Sequence, residues 1–261
     1  MTTIDVLRPG RARAMVERNL LIYRHTWVML LAEVFEPVLY LLAFGVGIGA
    51  LVGTVPGLAD TTVSYPRFVA PALLATAAMN GAMNETTFNM FGKLTTDKTY
   101  ESILTTPMTV RSVALGEVWW ALLRGTLVTA GFLVVVGLLG LVHTAAVLLV
   151  VPAALLIGFA FAAIGLLVVT FLRSWQDFQL IQLVMLPMFL FATTFFPVGV
   201  YPRPIRWLVE ALPLYHAIEL TRQPFLGHAG PRLLLPAAYL ALLGVLALAL
   251  AVRRLERTLR R

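Results

Sequence analysis

Seven polar or charged residues stand inside long apolar runs, where such side chains are costly and usually functional. They are Glu33, Glu36, Asn80, Asn84, Glu85, Glu117 and Arg124. Carboxylates in this setting have the chemistry to relay protons, to line a polar vestibule or to pair with a buried guanidinium. We expect Arg124 to pair with one of the four acids. The alternative is that the helices extend past the bilayer and the acids are merely hydrated.

Motifs for catalysis by this chain are absent from the sequence. No G-x-x-x-x-G-K-[ST] phosphate loop occurs, because Leu94 follows the pair Gly92-Lys93. No H-E-x-x-H motif occurs, the four histidines are scattered along the chain, and there is no cysteine. We therefore predict no catalytic residues, no metal site and no cofactor bound by this chain.

The elements that must position the seven residues are membrane helices. The 261 residues are 59% hydrophobic and only 13% charged, far from the composition of soluble domains. Continuous apolar runs of roughly 20 residues match the thickness of a bilayer core and indicate helices rather than alternating barrel strands. The composition therefore predicts an all-α integral membrane protein with six spans, at 28–50, 68–91, 113–140, 146–170, 178–198 and 233–252.

The distribution of basic residues predicts the orientation. Fourteen of the 20 Lys and Arg residues flank one side of these spans and five flank the other, so both termini are expected in the cytoplasm. Because these residues border membrane spans, the net charge of +7 indicates attraction to anionic inner-leaflet lipid. Nucleic acid is not an expected partner.

Three segments between the spans carry further predictions. Residues 10–25 form either a basic amphipathic helix in the membrane interface or a plain positively charged flank. Residues 92–111 form either a docking element or a solvated turn, with Asp97 as the cap of a short helix. Prolines cut residues 199–232 into pieces too short to span, which predicts short re-entrant or interfacial helices before the last span.

Four stretches carry a family resemblance. They are LLAFGVGIGALVG (41–53), YPRFVAPALLATAAMNGAMNETTFNMFGKL (65–94), KTYESILTTPMTVRSVALGE (98–117) and FFPVGVYP…LPLYHAIELTR (195–222). Over most of its length the chain resembles the permease subunit of type-2 ABC exporters, and most closely the NodJ-like branch of lipooligosaccharide and drug exporters. The resemblance implies one transmembrane permease domain over residues 1–261, in the bacterial inner membrane.

The resemblance also implies partners and roles. Two copies of a separate ATPase would bind ATP and Mg²⁺, and two permeases, as a homodimer, would face each other across a pathway flanked by the first and fifth spans. The substrate would be an amphiphile such as a lipid-linked glycan, a lipooligosaccharide or a hydrophobic drug. A coupling helix at about 96–106 and an amino-terminal helix at about 11–24 would touch the ATPase. The residues expected at that contact are Arg13, Arg18, Thr96, Asp97, Lys98, Tyr100, Glu101, Ser102 and Leu104.

Two alternatives remain. A proton-coupled secondary carrier would use Glu33, Glu36, Glu85 or Glu117 as its relay. Such carriers commonly show an internal repeat with discontinuous helices in matching positions, and the first three spans show no such correspondence with the last three. A membrane-bound transferase would need a polar catalytic motif, and the sequence carries none. The glycines of 45–49 fit either a dimer interface or packing within the chain.

Overall fold

The computed structural model describes residues 9–23, 28–56 and 62–259. Its α-helices are α1 Pro9–Tyr23, α2 Val28–Leu42, α3 Gly49–Val52, α4 Tyr65–Asn84, α5 Met90–Thr95, α6 Thr99–Leu104, α7 Val110–Leu138, α8 Val150–Val169, α9 Phe178–Phe191, α10 Arg203–Glu210, α11 Pro213–Phe225 and α12 Leu234–Leu259. Two short strands, β1 Thr54–Pro56 and β2 Thr62–Ser64, pair antiparallel after α3. The described fold is thus all-α apart from a hairpin that the sequence analysis did not predict.

Four helical stretches among the described residues are long and apolar enough to cross a membrane. They are Leu30–Val52, Val110–Leu138, Ala145–Val169 and Pro231–Arg257, and they coincide with the predicted first, third, fourth and sixth spans. Residues 139–144 are non-helical, which matches the gap between the predicted third and fourth spans, and Gly140 has φ +68°. Glycine adopts that backbone conformation without steric cost.

The predicted second span is a long, largely buried helix. From α4 the chain continues through a π-helical turn, Glu85–Asn89, into α5, so that helical backbone runs from Tyr65 to Thr95. Polar residues such as Asn80 lower its apolarity, and it is not among the four stretches above. Because α4 packs against α2, α7, α8 and α11, most of its side chains face protein.

The predicted fifth span corresponds to a shorter helix. The 14 residues of α9 extend about 21 Å and end at Phe191, so the predicted helical boundary at 198 is wrong. The chain leaves the helix through buried, irregular backbone in which Thr193 has φ +65°. Arg222 of α11 satisfies part of it, because its Nη2 donates to the carbonyl of Thr193 at 2.7 Å. A buried carbonyl without such a donor would be costly.

Glycines allow close helix contacts. A Cβ added to Gly244 of α12 would lie 2.6 Å from Cε1 of Phe159 on α8. A Cβ at Gly45 or Gly49 would lie 3.4 and 3.5 Å from Pro66 at the start of α4. Gly45 and Gly49 therefore pack against α4 within the chain, and a dimer interface at residues 45–49 stays a prediction.

Two short helices, α10 and α11, occupy the proline-rich segment, as the sequence predicts. The apolar side chain of Val209 in α10 is buried, whereas Trp207 and Leu208 are exposed. The ring of His216 in α11 stacks on Tyr239 of α12, with 4.0 Å between centroids. The depth of these helices in a membrane stays a prediction.

Candidate functional site

Several helices converge at the end of the bundle that carries the 92–111 loop, and they bury polar side chains between them. The contributing elements are α1, α2, the π-helical turn after α4, α5, α6 and α7. We call this group the polar cluster, and its members are Asn19, Tyr23, Glu33, Glu85, Asn89, Lys93, Tyr100, Glu117 and Arg124.

Arg124 joins three helical elements within the polar cluster. Its guanidinium forms ion pairs with Glu33 of α2 and with Glu85 of the π-helical turn. It also donates to the hydroxyl of Tyr23 and lies 4.8 Å from the centroid of that ring. The predicted ion pair is therefore present, and two carboxylates share it. Opposite charges and hydrogen bonds on every side make it possible to bury this group.

Glu117 is fully buried and joins the other half of the polar cluster. Its carboxylate accepts from Nζ of Lys93 at 2.8 Å, from the hydroxyl of Tyr100 at 2.7 Å and from Nδ2 of Asn19 at 3.2 Å. Nζ of Lys93 also lies 3.6 Å from Glu85, which links this half to Arg124. One carboxylate thus connects α1, α5, α6 and α7.

Four members of the polar cluster are absent from the predicted site residues, namely Asn19, Tyr23, Asn89 and Lys93. Asn89 and Lys93 follow the predicted Glu85 at intervals of four, which places all three on one face of a continuous helix. Because the second span was predicted to end at 91, Lys93 was placed in a loop, and its helical spacing with Glu85 and Asn89 was missed. Asn19 and Tyr23 are also four residues apart and lie on the face of α1 that packs against α7.

The phenols of the polar cluster remain donors over a wide pH range. Burial, followed by the charge of Glu117, raises the pKa of Tyr100 well above its usual value. Burial, followed by the charge of Glu85, raises the pKa of Tyr23 to about 12. Both hydroxyls therefore keep their protons at neutral pH and can donate to the carboxylates beside them.

The loop between α5 and α7 contains a helix shorter than predicted. α6 begins at Thr99 and ends at Leu104, rather than extending over 96–106. The prediction that Asp97 caps it is wrong: Lys98 occupies the cap position with φ +47°, and no side chain caps the helix. This left-handed residue turns the chain sharply between α5 and α6.

The predicted ATPase-contact residues of this loop differ in their exposure to solvent. Tyr100 is 1% exposed and points into the polar cluster, while Leu104 is half-buried. The exposed members are Thr96, Asp97, Lys98, Glu101 and Ser102. The structure thus separates one buried residue from a polar outer surface, and the contact with an ATPase stays a prediction.

The amino-terminal helix rests on the bundle. Met15 and Asn19 of α1 are each 2% exposed, and α1 packs against α7. Arg13 is exposed and pairs with Glu17 at 2.8 Å, and Nη1 of Arg18 donates to Oδ1 of Asn19 at 3.3 Å. The last part of the predicted helix, residues 24 and 25, lies outside the described residues.

A polar cavity adjoins the polar cluster. Its volume is about 220 Å³, and it lies between α2, α4, α7 and α9. It is lined by the predicted intramembrane residues Glu33, Glu36, Asn80 and Asn84, together with Tyr40, Thr76, Gln182 and Phe189. Gln182 and Tyr40 are not among the predicted site residues. Glu33 belongs to both the cavity and the polar cluster, so the two are continuous.

Comparison with known proteins identifies the family. The model of the family described as ABC-2 type transporter matches residues 11–226. The chain belongs to the ABC-2 type transporter family. It is a transporter permease with several membrane-spanning helices. Among the described residues, no group of three or more His, Cys, Asp or Glu is arranged to hold a metal ion.

Relatives place this ABC-2 permease in the Nodulation protein J branch. It is 35% identical to Nodulation protein J of Rhizobium leguminosarum bv. viciae over 76% of this chain and 75% of the relative. Identity to the protein of the same name from Sinorhizobium fredii is 33%, over 88% and 86%. Identity to that of Bradyrhizobium diazoefficiens is 30%, over 94% of each.

The region matched by the ABC-2 family contains the whole candidate site. The polar cluster extends from Asn19 to Arg124, and the polar cavity takes its last residue from Phe189 of α9. The matched region ends at residue 226, before α12 begins. The polar cluster and the polar cavity therefore belong to the part of the chain that the family shares.

Proposed function

We propose that this ABC-2 permease exports an amphiphilic molecule across the bacterial inner membrane, driven by a separate ATPase. The family supports a transporter membrane subunit with an ATPase partner. The absence of a phosphate loop from the sequence agrees with ATP and Mg²⁺ being bound by that partner. The proposed assembly contains a permease homodimer and two ATPase copies. Its substrate is a lipid-linked glycan, a lipooligosaccharide or a hydrophobic drug.

The proposed topology has six spans. The helix from α4 to α5 forms the second span, and α9 with the irregular backbone after it forms the fifth. The loop containing α6 and both termini lie in the cytoplasm, α1 lies at the inner interface, and α10 and α11 enter the outer interface. The excess of Lys and Arg on the side of the loop supports this orientation.

The proposal that an ATPase acts on the bundle through α6 rests on the hydrogen bond from Tyr100 to Glu117. The outer surface of α6 is polar and exposed, whereas its one fully buried side chain ends in the polar cluster. A displacement of α6 by a docked ATPase therefore acts on Glu117 of α7. Through Lys93 and Arg124 it also reaches the π-helical turn and α2, and α2 borders the polar cavity.

A proton-coupled carrier fits the polar cluster less well. Three of the four candidate relay residues, Glu33, Glu85 and Glu117, are engaged by Arg124 or Lys93. Protonation of one of them would leave a buried cation with less compensation, which is strongly unfavourable. The ion pairs therefore favour a structural connection over a path for protons.

Copurification tests the proposed function. The tagged chain is purified from native membranes in mild detergent, and ATPase activity and associated subunits are measured. We expect a nucleotide-binding subunit to copurify with the wild-type chain. If the chain purifies alone, the proposal of ATP-driven export is wrong, and proton-coupled flux in liposomes becomes the relevant assay.

Variants of the loop test the docking assignment separately. Glu101→Ala and an exchange of residues 96–106 are expected to reduce retention of the ATPase subunit. Glu210→Ala is the matched control, because Glu210 also lies at the surface of a short helix but in α10, at the other end of the bundle. Equal retention by all variants would contradict docking at α6 without contradicting the proposed ATPase partner.

A further inference from the structure

The backbone that follows α9 adopts a conformation that is unusual for its sequence. Thr193 has φ +65°, in the left-handed region, where a β-branched residue is a steric outlier. Its amide donates to the carbonyl of Phe191, two residues back, at 2.8 Å. The hydroxyl of Thr194 donates to the carbonyl of Phe189 at 2.7 Å, the acceptor that the amide of Thr193 would use if α9 continued. Backbone strain of this kind persists only where surrounding contacts hold it, and it is common at switch regions.

A buried arginine holds this strained backbone. Nη2 of Arg222 donates to the carbonyl of Thr193 at 2.7 Å, and Nη1 donates to its hydroxyl at 3.4 Å. The guanidinium carbon lies 3.9 Å from the ring centroid of Phe68, and a carboxylate oxygen of Glu219 is 3.8 Å from Nη1. Arg222 thus fixes the backbone of Thr193 from a position 29 residues further along the chain. We call this contact the latch.

The charge of the latch is incompletely compensated. Arg222 is 4% exposed, and within the part of the chain that the structure describes its buried Nε has no hydrogen-bond partner. Burial lowers the pKa of Arg222 to about 10 despite the charge of Glu219, so the guanidinium stays protonated at neutral pH. A buried charge is costly unless it is closely paired and hydrogen-bonded. Together with the strain at Thr193, this cost leaves little free energy between the latched form and a competing conformation.

The competing conformation is a longer α9. The 14 residues of this helix extend about 21 Å, which is short of the ~30 Å thickness of a hydrocarbon core. Helical backbone through residues 192–195 would bring it to about 27 Å and would give Thr193 an ordinary helical φ. The helix would end there because Pro197 disfavours a helical conformation at the residue before it. The apolar sequence therefore supports a second form of this segment.

Aromatic rings pack together at the outer end of the polar cavity. Tyr40 and Phe189 are the last residues of α2 and α9 that line this cavity, and their ring centroids are 6.1 Å apart. Phe44 lies one turn beyond Tyr40, and the two centroids are also 6.1 Å apart. The ring of Phe195 is 4.6 Å from that of Phe44 and 5.2 Å from that of Phe189. Phe195 follows Thr193 by two residues, so a longer α9 must displace its ring from this group.

We propose that residues 192–196 form a two-state outer gate of the polar cavity. In the closed form Arg222 latches the broken backbone, and Phe195 packs against Phe44. In the open form the latch is released, α9 continues as helix, and the ring of Phe195 leaves the aromatic group. This gate rests on the proposed function, because the proposed topology places it on the outer side of the membrane.

Access of a water-soluble thiol reagent to the polar cavity tests the gate. The chain contains no cysteine, so Ala77→Cys places a single thiol in the wall of the polar cavity. A membrane-impermeant methanethiosulfonate is applied to sealed right-side-out vesicles, and the rate of modification is measured. We expect Arg222→Gln to raise this rate about tenfold or more, because the charged donor of the latch is lost. Arg203→Gln, at an exposed arginine of α10, is the matched control and should leave the rate unchanged.

Two substitutions of Thr193 separate a gate from a purely structural role. Thr193→Gly removes the steric cost of the left-handed conformation and disfavours helix, so it should lower the rate about fivefold. Thr193→Ala keeps that cost and favours helix, so it should raise the rate. Both variants lose the same hydroxyl, so backbone preference alone distinguishes them. Equal rates for the two variants, or an unchanged rate in Arg222→Gln, would overturn the proposal. If Arg222→Gln fails to insert, the Thr193 pair decides.

A reporter beyond the gate separates its failure from failure of the proposed function. Val200 is 64% exposed, so Val200→Cys should react rapidly in the same vesicles. Absence of that reaction would contradict the proposed topology and an outward gate with it. The assay requires neither ATP hydrolysis nor a bound ATPase, so its failure is distinct from failure of copurification.

Discussion

The phenolic oxygen of Tyr100 lies 2.7 Å from Oε1 of Glu117, and this bond joins the helix of an exposed loop to the buried interior of the bundle. Both residues are almost completely inaccessible to solvent. A hydrogen bond to a buried carboxylate is stronger than one between neutral groups, and its loss leaves the carboxylate short of a donor. The bond is thus a mechanical connection between α6 and α7.

Tyr100→Phe is expected to uncouple transport from ATP hydrolysis. The ring still fills its place, but the donor to Glu117 is gone, which corresponds to about 10-fold less transport per ATP hydrolysed. Reconstituted vesicles with the ATPase subunit provide the measurement. Tyr201→Phe, a partly buried tyrosine before α10, is the control. Loss of the ATPase subunit from Tyr100→Phe would show instead that Tyr100 itself is a docking contact.

Arg124→Leu is expected to lower transport strongly while membrane insertion is retained. The substitution leaves the buried Glu85 and the half-buried Glu33 without their shared cation, and breaking a buried pair costs about 3–5 kcal/mol. Arg124→Lys should be intermediate, because an ammonium cannot reproduce the paired geometry. Transport in vesicles and protease accessibility are the measurements, and Arg173→Leu at an exposed loop is the control. Unchanged transport in Arg124→Leu would refute a role for the polar cluster.

Acidification is expected to loosen the contact between α11 and α12. Burial lowers the pKa of His216, so the folded state binds the proton less readily than the unfolded chain does. The stability from neutral His216 is therefore complete above about pH 6.5 and is lost as the pH falls through the lower folded value. Thermal unfolding in detergent between pH 7.5 and 5 measures this loss. It should shrink in His216→Gln and persist in His143→Gln, whose residue is exposed.

Gly244→Ala is expected to destabilise the fold. The added methyl would meet Phe159 at 2.6 Å and the backbone Cα of Ala160 at 3.1 Å, so α12 must move away from α8. Overpacking of this kind lowers the free energy of unfolding by about 1–3 kcal/mol. Gly137→Ala provides the control, because a Cβ at Gly137 of α7 meets no atom within 4 Å. Equal thermal midpoints for the two variants would contradict the tight α8–α12 contact.

Apolar patterning was sufficient to place four membrane helices and the break between the third and fourth spans, because a continuous run of about 20 apolar residues has few other solutions. It missed the ends of two helices. Helical backbone continues through α5 to Thr95, past the predicted end at 91, and Lys93 on this extension pairs with the buried Glu117. The end of α9 was missed because Arg222, far along the chain, supports the broken backbone after it.

The candidate site was predictable in its charges but not in its connections. Arg124 stood out as a cation inside an apolar run, and its pairing with acids followed from the cost of burying it alone. Lys93 and Tyr100 were assigned to a loop surface, yet both reach Glu117. Side-chain direction at a loop depends on where the chain turns, and the turn here depends on Lys98 in a left-handed conformation.

The polar cluster also has a consequence for biosynthesis. Its members all lie between residues 19 and 124, so it can be completed before α8 to α12 are made. Glu33 emerges from the ribosome 91 residues ahead of Arg124, an interval of roughly 5–20 s at ~5–20 residues per second. A lone carboxylate in lipid is unfavourable during that time. The insertion machinery must therefore keep α2 in contact with water or protein until α7 delivers Arg124.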